Sequence, residues 1–191
     1  LNDHGVFVAI TNRFLGPRDP SRISRGLVVI DALRRGASAR AIHRDLMTAI
    51  DPTKYNGFHL VYADAKDVLA TIADGEGSVA HLTLGDGLSV VTERSFAAGN
   101  VDDRPRLEKI RAAFERLAAG PMEGLPQRMT KLLSEHDAED PLGATCIHLD
   151  ALKYGTRSSM VLTRERQSGH FNMLWAEGPP CVTPFLPVAT R

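Results

Sequence analysis

Two short polar stretches of the sequence carry residue types that can do chemistry. Asn12 and Arg13 follow an apolar run, where an asparagine amide can donate a hydrogen bond to a developing oxyanion or act simply as a turn residue. Further along the chain, Arg157 has the charge to hold a carboxylate, and Ser158 and Ser159 can line a pocket. The same stretch can also be no more than a turn that leads into a strand.

The histidines and cysteines are the other candidate groups, and their spacing predicts no built-in metal site. Seven histidines are scattered along the chain without an H-x-x-x-H pair, and the two cysteines are Cys146 and Cys181. Neither cysteine has the spacing that zinc ligands usually show. We therefore expect a structural role for both thiols, with Cys146 buried among apolar neighbours.

Composition limits the function classes. The 191 residues are 43% hydrophobic and 24% charged, which is typical of a globular protein and predicts one domain over residues 1–191. The 23 basic and 23 acidic residues cancel, which disfavours a nucleic-acid partner. No apolar run approaches the roughly 18 residues that cross a bilayer. Two cysteines fit a reducing compartment, and the lack of a targeting segment indicates a cytoplasmic protein. The expected partner is a small-molecule ligand or substrate.

The elements that must position these residues follow an α+β order. Apolar alternation and turn residues predict strands over residues 5–11, 58–63, 68–73, 78–84, 88–92, 144–149, 158–164 and 170–176. Three-to-four spacing predicts helices over 21–35, 38–50, 104–119 and 126–134. The first of these should bury Leu27, Ile30 and either Leu33 or Arg34. Strands that cluster apart from helices favour an α+β fold with helices over sheet faces.

Five stretches in a fixed order connect the sequence to a known family. They are NDHGVFVAITNR (2–13), SRG (24–26), YNGFHLV (55–61), YGTRSS (154–159) and GPPCVTPF (178–185). Taken together, they resemble the NRDE family, also called the transport-and-Golgi-organisation family. The resemblance implies an N-terminal-nucleophile (Ntn) hydrolase-like fold, a four-layer αββα sandwich of two antiparallel sheets.

The same resemblance implies a mechanism whose nucleophile this sequence does not contain. The family is similar to choloylglycine hydrolases and penicillin V acylases, in which an N-terminal cysteine attacks an amide and its own α-amine serves as base. This sequence starts at Leu1 and has neither that cysteine nor an Asn-Arg-Asp-Glu motif. We therefore expect an N-terminally truncated chain whose nucleophile belongs to an absent upstream segment.

The resemblance also assigns site residues position by position. Asn12 matches an asparagine of the acylase group, which implies an oxyanion or substrate-positioning role. A second asparagine of that group would fall at residues 92–94, where Arg94 has the right charge for an oxyanion and Glu93 has the wrong one. The matching stretches imply ligand binding by Asn2, Arg13, Arg157, Ser158 and Ser159.

Two functions from different classes follow. The first is a cysteine Ntn-type hydrolase of C–N bonds in amides. The alternative is a non-catalytic binding or carrier protein for haem or another hydrophobic anionic ligand, with His59, His148 and Cys146 as candidate axial ligands. No resident cofactor is expected in either case. A third interpretation is a fragment without activity of its own, whose exposed sheet edges pair with another chain.

Overall fold

The computed structural model describes residues 1–14, 16–93, 104–165 and 167–189, the first two residues of the third range through their backbone only. The chain divides into two compact units, Leu1–Leu107 and Glu108–Arg191, each with its own antiparallel sheet. Helices combined with antiparallel sheets confirm the α+β prediction. The four-layer Ntn arrangement and the single domain stay predictions.

A four-stranded antiparallel meander forms the sheet of the first unit. Its strands, hydrogen-bonded in chain order, are β1 (Phe7–Asn12), β2 (Phe58–Ala63), β3 (Val68–Ala73) and β4 (Val79–Leu84). The register places Asn12 opposite Phe58, and Phe58 opposite Ala73. One end of the sheet therefore gathers the last residue of β1, the first of β2 and the last of β3.

Two helices of the first unit pack on this sheet: α1 (Gly26–Arg35) and α2 (Ala39–Ala49). Helix α1 buries Val28 and Ala32, whereas the predicted Leu27 and Ile30 are 52% and 43% exposed. Leu33 is partly buried, as predicted. The helix is apolar around much of its circumference, so spacing alone does not fix which face meets the sheet. The predicted stripe is therefore wrong by about one residue.

The core of the first unit contains a chain of hydrogen-bonded polar side chains among its apolar ones. The hydroxyl of buried Tyr62 lies 2.6 Å from Nδ1 of His43 and 2.9 Å from Oγ1 of Thr71. That threonine oxygen lies 3.0 Å from Nδ1 of His81. Each buried hydroxyl thus has partners, as a polar group in a core requires.

Residues 85–93 form no strand, so the predicted strand over 88–92 is wrong. β-propensity records how well a residue fits a pleated surface, and it does not supply a neighbouring strand. This segment instead contacts the end of the sheet through its backbone, because the amide of Phe14 donates to the carbonyl of Glu93 over 2.6 Å. Thr92 is buried there.

The remaining elements are α3 (Arg104–Ala118), α4 (Leu125–Leu133), β5 (His148–Leu149), β6 (Tyr154–Gly155), β7 (Ser159–Arg164), β8 (Phe171–Ala176) and β9 (Leu186–Val188). In the second unit β7, β8 and β9 form an antiparallel sheet in that order, and β5 pairs with β6. Helix α4 packs on β7. Pro187 of β9 lies opposite Leu174, on an edge strand, where a missing backbone N–H is tolerated.

The predicted strand over 144–149 is shortened to its last two residues, His148–Leu149. The backbone of the preceding residues is bonded elsewhere. The amide of Cys146 donates to the carbonyl of Glu135 over 3.0 Å, and the amide of Ile147 donates to Oγ1 of Thr156 over 3.0 Å. These bonds replace the strand ladder that the apolar pattern predicts.

Within the described part of the chain, no helix has both the length and the apolar character needed to cross a membrane.

Candidate functional site

Asn12 is the last residue of β1, and the two residues that follow it are held in place by backbone hydrogen bonds. Arg13 donates its amide to the carbonyl of Gly57 over 2.9 Å, and Phe14 donates to Glu93. The side chain of Asn12 is exposed, and it makes no hydrogen bond to the described residues. Its amide is therefore available to a ligand at a fixed place in the backbone.

Arginines converge on the backbone at this end of the sheet. Nη1 of Arg25 donates to the carbonyl of Gly57 over 2.8 Å, and Nη1 of Arg22 donates to the carbonyls of Tyr55 and Gly75. Glycine is required at position 75, where φ is +81° and a Cβ would lie 2.7 Å from Nη1 of Arg22. The backbone carbonyls of Tyr55, Gly57 and Gly75 thus hold the guanidinium groups of two arginines in place.

We refer to Arg13, Arg18, Arg22 and Arg25 as the arginine cluster. Burial lowers the pKa of Arg25, and the neighbouring positive charge of Arg18 lowers it further. Arg22 forms an ion pair with Asp19 (Nε–Oδ2, 3.4 Å), while the other three form none with the described carboxylates. Asp74 interacts with Arg13 at longer range. The four guanidinium groups outnumber the two nearby carboxylates, Asp19 and Asp74. The arginine cluster therefore carries surplus positive charge, which suits an anion.

His59 lies beneath this site rather than in it. It is 2% exposed, and its Nδ1 lies 3.2 Å from Oγ1 of Thr11. Burial, and then the charge of Arg13, lower its pKa to about 4, although a hydrogen bond with the Thr92 backbone acts in the raising direction. The imidazole is therefore neutral at pH 7. Ligation of a haem iron by His59 would require one ring nitrogen of this buried imidazole to give up its hydrogen bond, and that role stays a prediction.

Asn2 is engaged by the backbone around it. Its Nδ2 donates to the carbonyls of Leu33 and Gly36 over 2.9 and 2.7 Å, and its Oδ1 accepts from the amides of His4 and Val6 over 3.1 and 3.0 Å. Asn2 thus connects the start of the chain to the end of α1. The amide of Asn2 thus already has four hydrogen-bond partners. Its ligand-binding role stays a prediction.

The other predicted site residues are placed as follows. Arg157 and Ser158 are exposed between β6 and β7 in the second unit, and half-buried Ser159 opens β7. Arg94 lies outside the described residues. Glu93, its neighbour, forms an ion pair with Arg106 at 3.1 Å. The ligand-binding roles of the second-unit residues stay predictions.

A cavity of about 290 Å³ lies between α1 and α2 in the first unit. Its apolar lining consists of Val28, Ala32, Ile42, Leu46, Ala49 and Ile50, with Tyr55 beside them. Asp31, Arg35 and Asp45 complete the lining. Arg35 forms an ion pair with Asp31 at 3.2 Å, which leaves the charge of Asp45 unbalanced. The helical side of the cavity is therefore unfavourable for an anionic group.

Four potential metal ligands meet in the second unit: His136, Cys146, His148 and Cys181, named here the Cys/His cluster. One ligand atom from each residue lies within 4.8 Å of the other three. The spacing of histidines and cysteines in the sequence does not predict this cluster, because its members are 10, 2 and 33 residues apart along the chain. The one sequence signal is the Cys146-x-His148 pair, which is short and common.

A family model described as Transport and Golgi organisation 2 matches residues 1–174 of the chain. The match includes the whole of the first unit and most of the second. No curated protein matches the chain.

Proposed function

We propose a binding function for this chain, which belongs to the Transport and Golgi organisation 2 family. The ligand is a hydrophobic organic anion, and it binds in the first unit. Tyr55 carries this inference, because its carbonyl accepts from Arg22 of the arginine cluster while the residue also lines the apolar cavity. Positive charge and apolar volume therefore adjoin at one residue.

The anionic head of the ligand would bind the arginine cluster. Arg13 has a half-buried side chain with no ion pair to a described carboxylate, so it can pair with a carboxylate or phosphate of the ligand. A guanidinium presents a planar set of donors that matches both anions. The exposed amide of Asn12, one residue away, supplies a further donor. Asp45 repels the head from the helical side of the cavity and so favours one orientation.

The apolar part of the ligand would occupy the cavity. Its volume of about 290 Å³ is at the lower limit of the roughly 300–1,000 Å³ that is usual for drug-sized ligands. That size suits one acyl chain better than a flat macrocycle such as haem. A fatty carboxylate or acyl thioester is therefore the ligand class that we favour, and haem is the alternative.

The experiment is a titration of the protein with decanoate, decanol and haem. We expect decanoate to bind more tightly than decanol, which has the same chain length without the charge. Arg13→Gln should weaken decanoate binding about tenfold, equivalent to ~1.4 kcal/mol. Arg116→Gln, on the exposed face of α3, makes the same change of charge elsewhere and should have no effect. Equal affinity for the acid and the alcohol, or equal affinity of the two variants, contradicts the proposal.

A cysteine Ntn-type amide hydrolase with the four-layer fold is the second candidate. The exposed, unbonded amide of Asn12 favours it, because an oxyanion donor must point at substrate. Such a hydrolase needs an N-terminal cysteine, whose own α-amine serves as base. Neither cysteine of this sequence is N-terminal, and both belong to the Cys/His cluster. Turnover of an N-acyl amide that Asn12→Leu abolishes would support this candidate.

We further propose a cytoplasmic location, because the two cysteines form no disulfide.

A further inference from the structure

We propose that the Cys/His cluster is a zinc site, with four protein ligands and a structural role in the second unit. This inference is independent of ligand binding in the first unit. Sγ of Cys181 lies 3.5 Å from Nε2 of His148. With Zn–S of about 2.3 Å and Zn–N of about 2.0 Å, a tetrahedral site has an S···N edge of about 3.5 Å. The Cys181–His148 separation thus equals one edge of such a tetrahedron, and one ligand atom from each of the four residues lies within 4.8 Å of the other three.

The hydrogen bonding of His136 leaves one of its ring nitrogens available to a metal. Its Nδ1 lies 2.9 Å from the backbone carbonyl of Cys146. A carbonyl can only accept, so Nδ1 carries the proton and the lone pair is on Nε2. A hydrogen bond of this kind from the non-ligating nitrogen is the usual second contact of a zinc-bound histidine. The ring of His148 meets that of His136 edge to face, with centroids 4.9 Å apart.

Hydrogen bonds link the segments that carry the ligands to one another. The residue before the tail cysteine, Pro180, accepts from Oγ of Ser134 at the end of α4 over 2.9 Å. Thr145 donates its hydroxyl to the carbonyl of Leu132, and Cys146 donates its amide to Glu135. The ligands are therefore held close together by the surrounding backbone, which reduces the ordering cost of binding an ion.

The donor set identifies the ion. Two thiolates with two imidazoles in a tetrahedron are the ligands that Zn²⁺ prefers. Binding is written as Zn²⁺ plus two thiols giving a neutral bis-thiolate complex, with two protons released to solvent. Four protein ligands leave no position for water, so the site is structural rather than catalytic. A Cys146–Cys181 disulfide would leave both imidazoles without a role.

The test uses the full chain, stripped of metal by chelation in the presence of a reductant. We expect one Zn²⁺ per chain by competition with a chromophoric chelator, and Co²⁺ should give the d–d and thiolate charge-transfer bands of tetrahedral coordination. His148→Gln should weaken binding at least about 100-fold, more than the loss of a hydrogen bond to a metal-ligating residue would. His170→Gln removes an exposed histidine of the same unit and should bind like the parent.

Four results would overturn the proposal. The first is a reduced parent chain that binds no stoichiometric metal. The second is a cobalt complex without thiolate charge-transfer bands, and the third is equal affinity in the two histidine variants. The parent measurement does not depend on variant folding, and Cys181→Ser, at a half-buried position, provides a second ligand substitution. Exclusive recovery of the Cys146–Cys181 disulfide under mild reductant would count equally against the site.

Discussion

Nδ1 of buried His59 lies 3.2 Å from the hydroxyl oxygen of Thr11, and the two residues face each other across the β1–β2 pair. The imidazole supports the strand end that carries Asn12 and Arg13. It does so as a neutral group, because burial and the charge of Arg13 lower its pKa to about 4. The candidate ligand site therefore rests on a buried histidine that is neutral at pH 7.

Acidification should weaken the fold through His59. Its pKa falls from 6.5 in the unfolded chain to about 4 in the fold, so the unfolded state takes up the proton first. Between these two pH values the free energy of unfolding should fall by up to about 3 kcal/mol from this residue. Urea unfolding at several pH values measures the slope. His59→Asn should flatten it, whereas His170→Asn should leave it as steep as in the parent.

Tyr62→Phe should destabilise the first unit. The change removes a hydroxyl that contacts both His43 and Thr71 in the core. We expect a loss of about 1–3 kcal/mol, since buried partners are left with fewer hydrogen bonds. Tyr154→Phe removes a hydroxyl from a side chain that is 57% exposed, and it should change stability by less than about 0.5 kcal/mol. Equal urea midpoints for the two variants would show that the buried hydrogen bonds of Tyr62 contribute nothing to stability.

Gly75→Ala should disturb the arginine cluster. A Cβ at this position would lie 2.7 Å from Nη1 of Arg22 and 2.9 Å from the backbone of Gly57 and Tyr55, at a φ of +81°. The cost should be about 1–3 kcal/mol, and decanoate binding should weaken with it. Gly77→Ala also has a positive φ, +123°, with nothing within 4 Å. Backbone strain at position 77 is at least as large as at position 75, so a larger fall in thermal midpoint for Gly75→Ala measures the clash. No fall for Gly75→Ala would contradict it.

Asn2→Ala should lower stability without changing ligand affinity. The variant loses four hydrogen bonds to the backbone, two of them to the end of α1. A loss of about 1–3 kcal/mol is expected, against little change for the exposed Asn172→Ala. Decanoate affinity, measured well below the unfolding midpoint, should equal that of the parent. A weaker affinity at unchanged stability would instead support the ligand-binding role that the family resemblance implies.

The limits of sequence-based prediction are physical and can be seen at particular residues. Strands β2 and β3 matched their predicted bounds because apolar runs end at turn residues on both sides. The face of α1 was predicted wrongly, since Val28 and Leu27 are equally apolar and the sheet decides between them. The strand over 144–149 was predicted too long because Glu135 and Thr156, distant in sequence, take its backbone hydrogen bonds.

The candidate sites show the same division. Asn12 and Arg13 could be predicted because a polar pair directly after a buried strand is visible in the sequence. Arg22 and Arg25 were missed, since they join the site through the carbonyls of Tyr55, Gly57 and Gly75. The Cys/His cluster was missed for a related reason. Its ligands come from three separate segments, and no local spacing records their meeting.

The proline of β9 has a consequence for how the chain meets other copies of itself. β9 is only three residues long, and its central residue, Pro187, has no backbone N–H. It therefore offers few backbone groups to a strand that approaches from another molecule. This edge of the second sheet is a poor template for edge-to-edge growth, since short edge strands and prolines are means by which natural β-proteins resist aggregation.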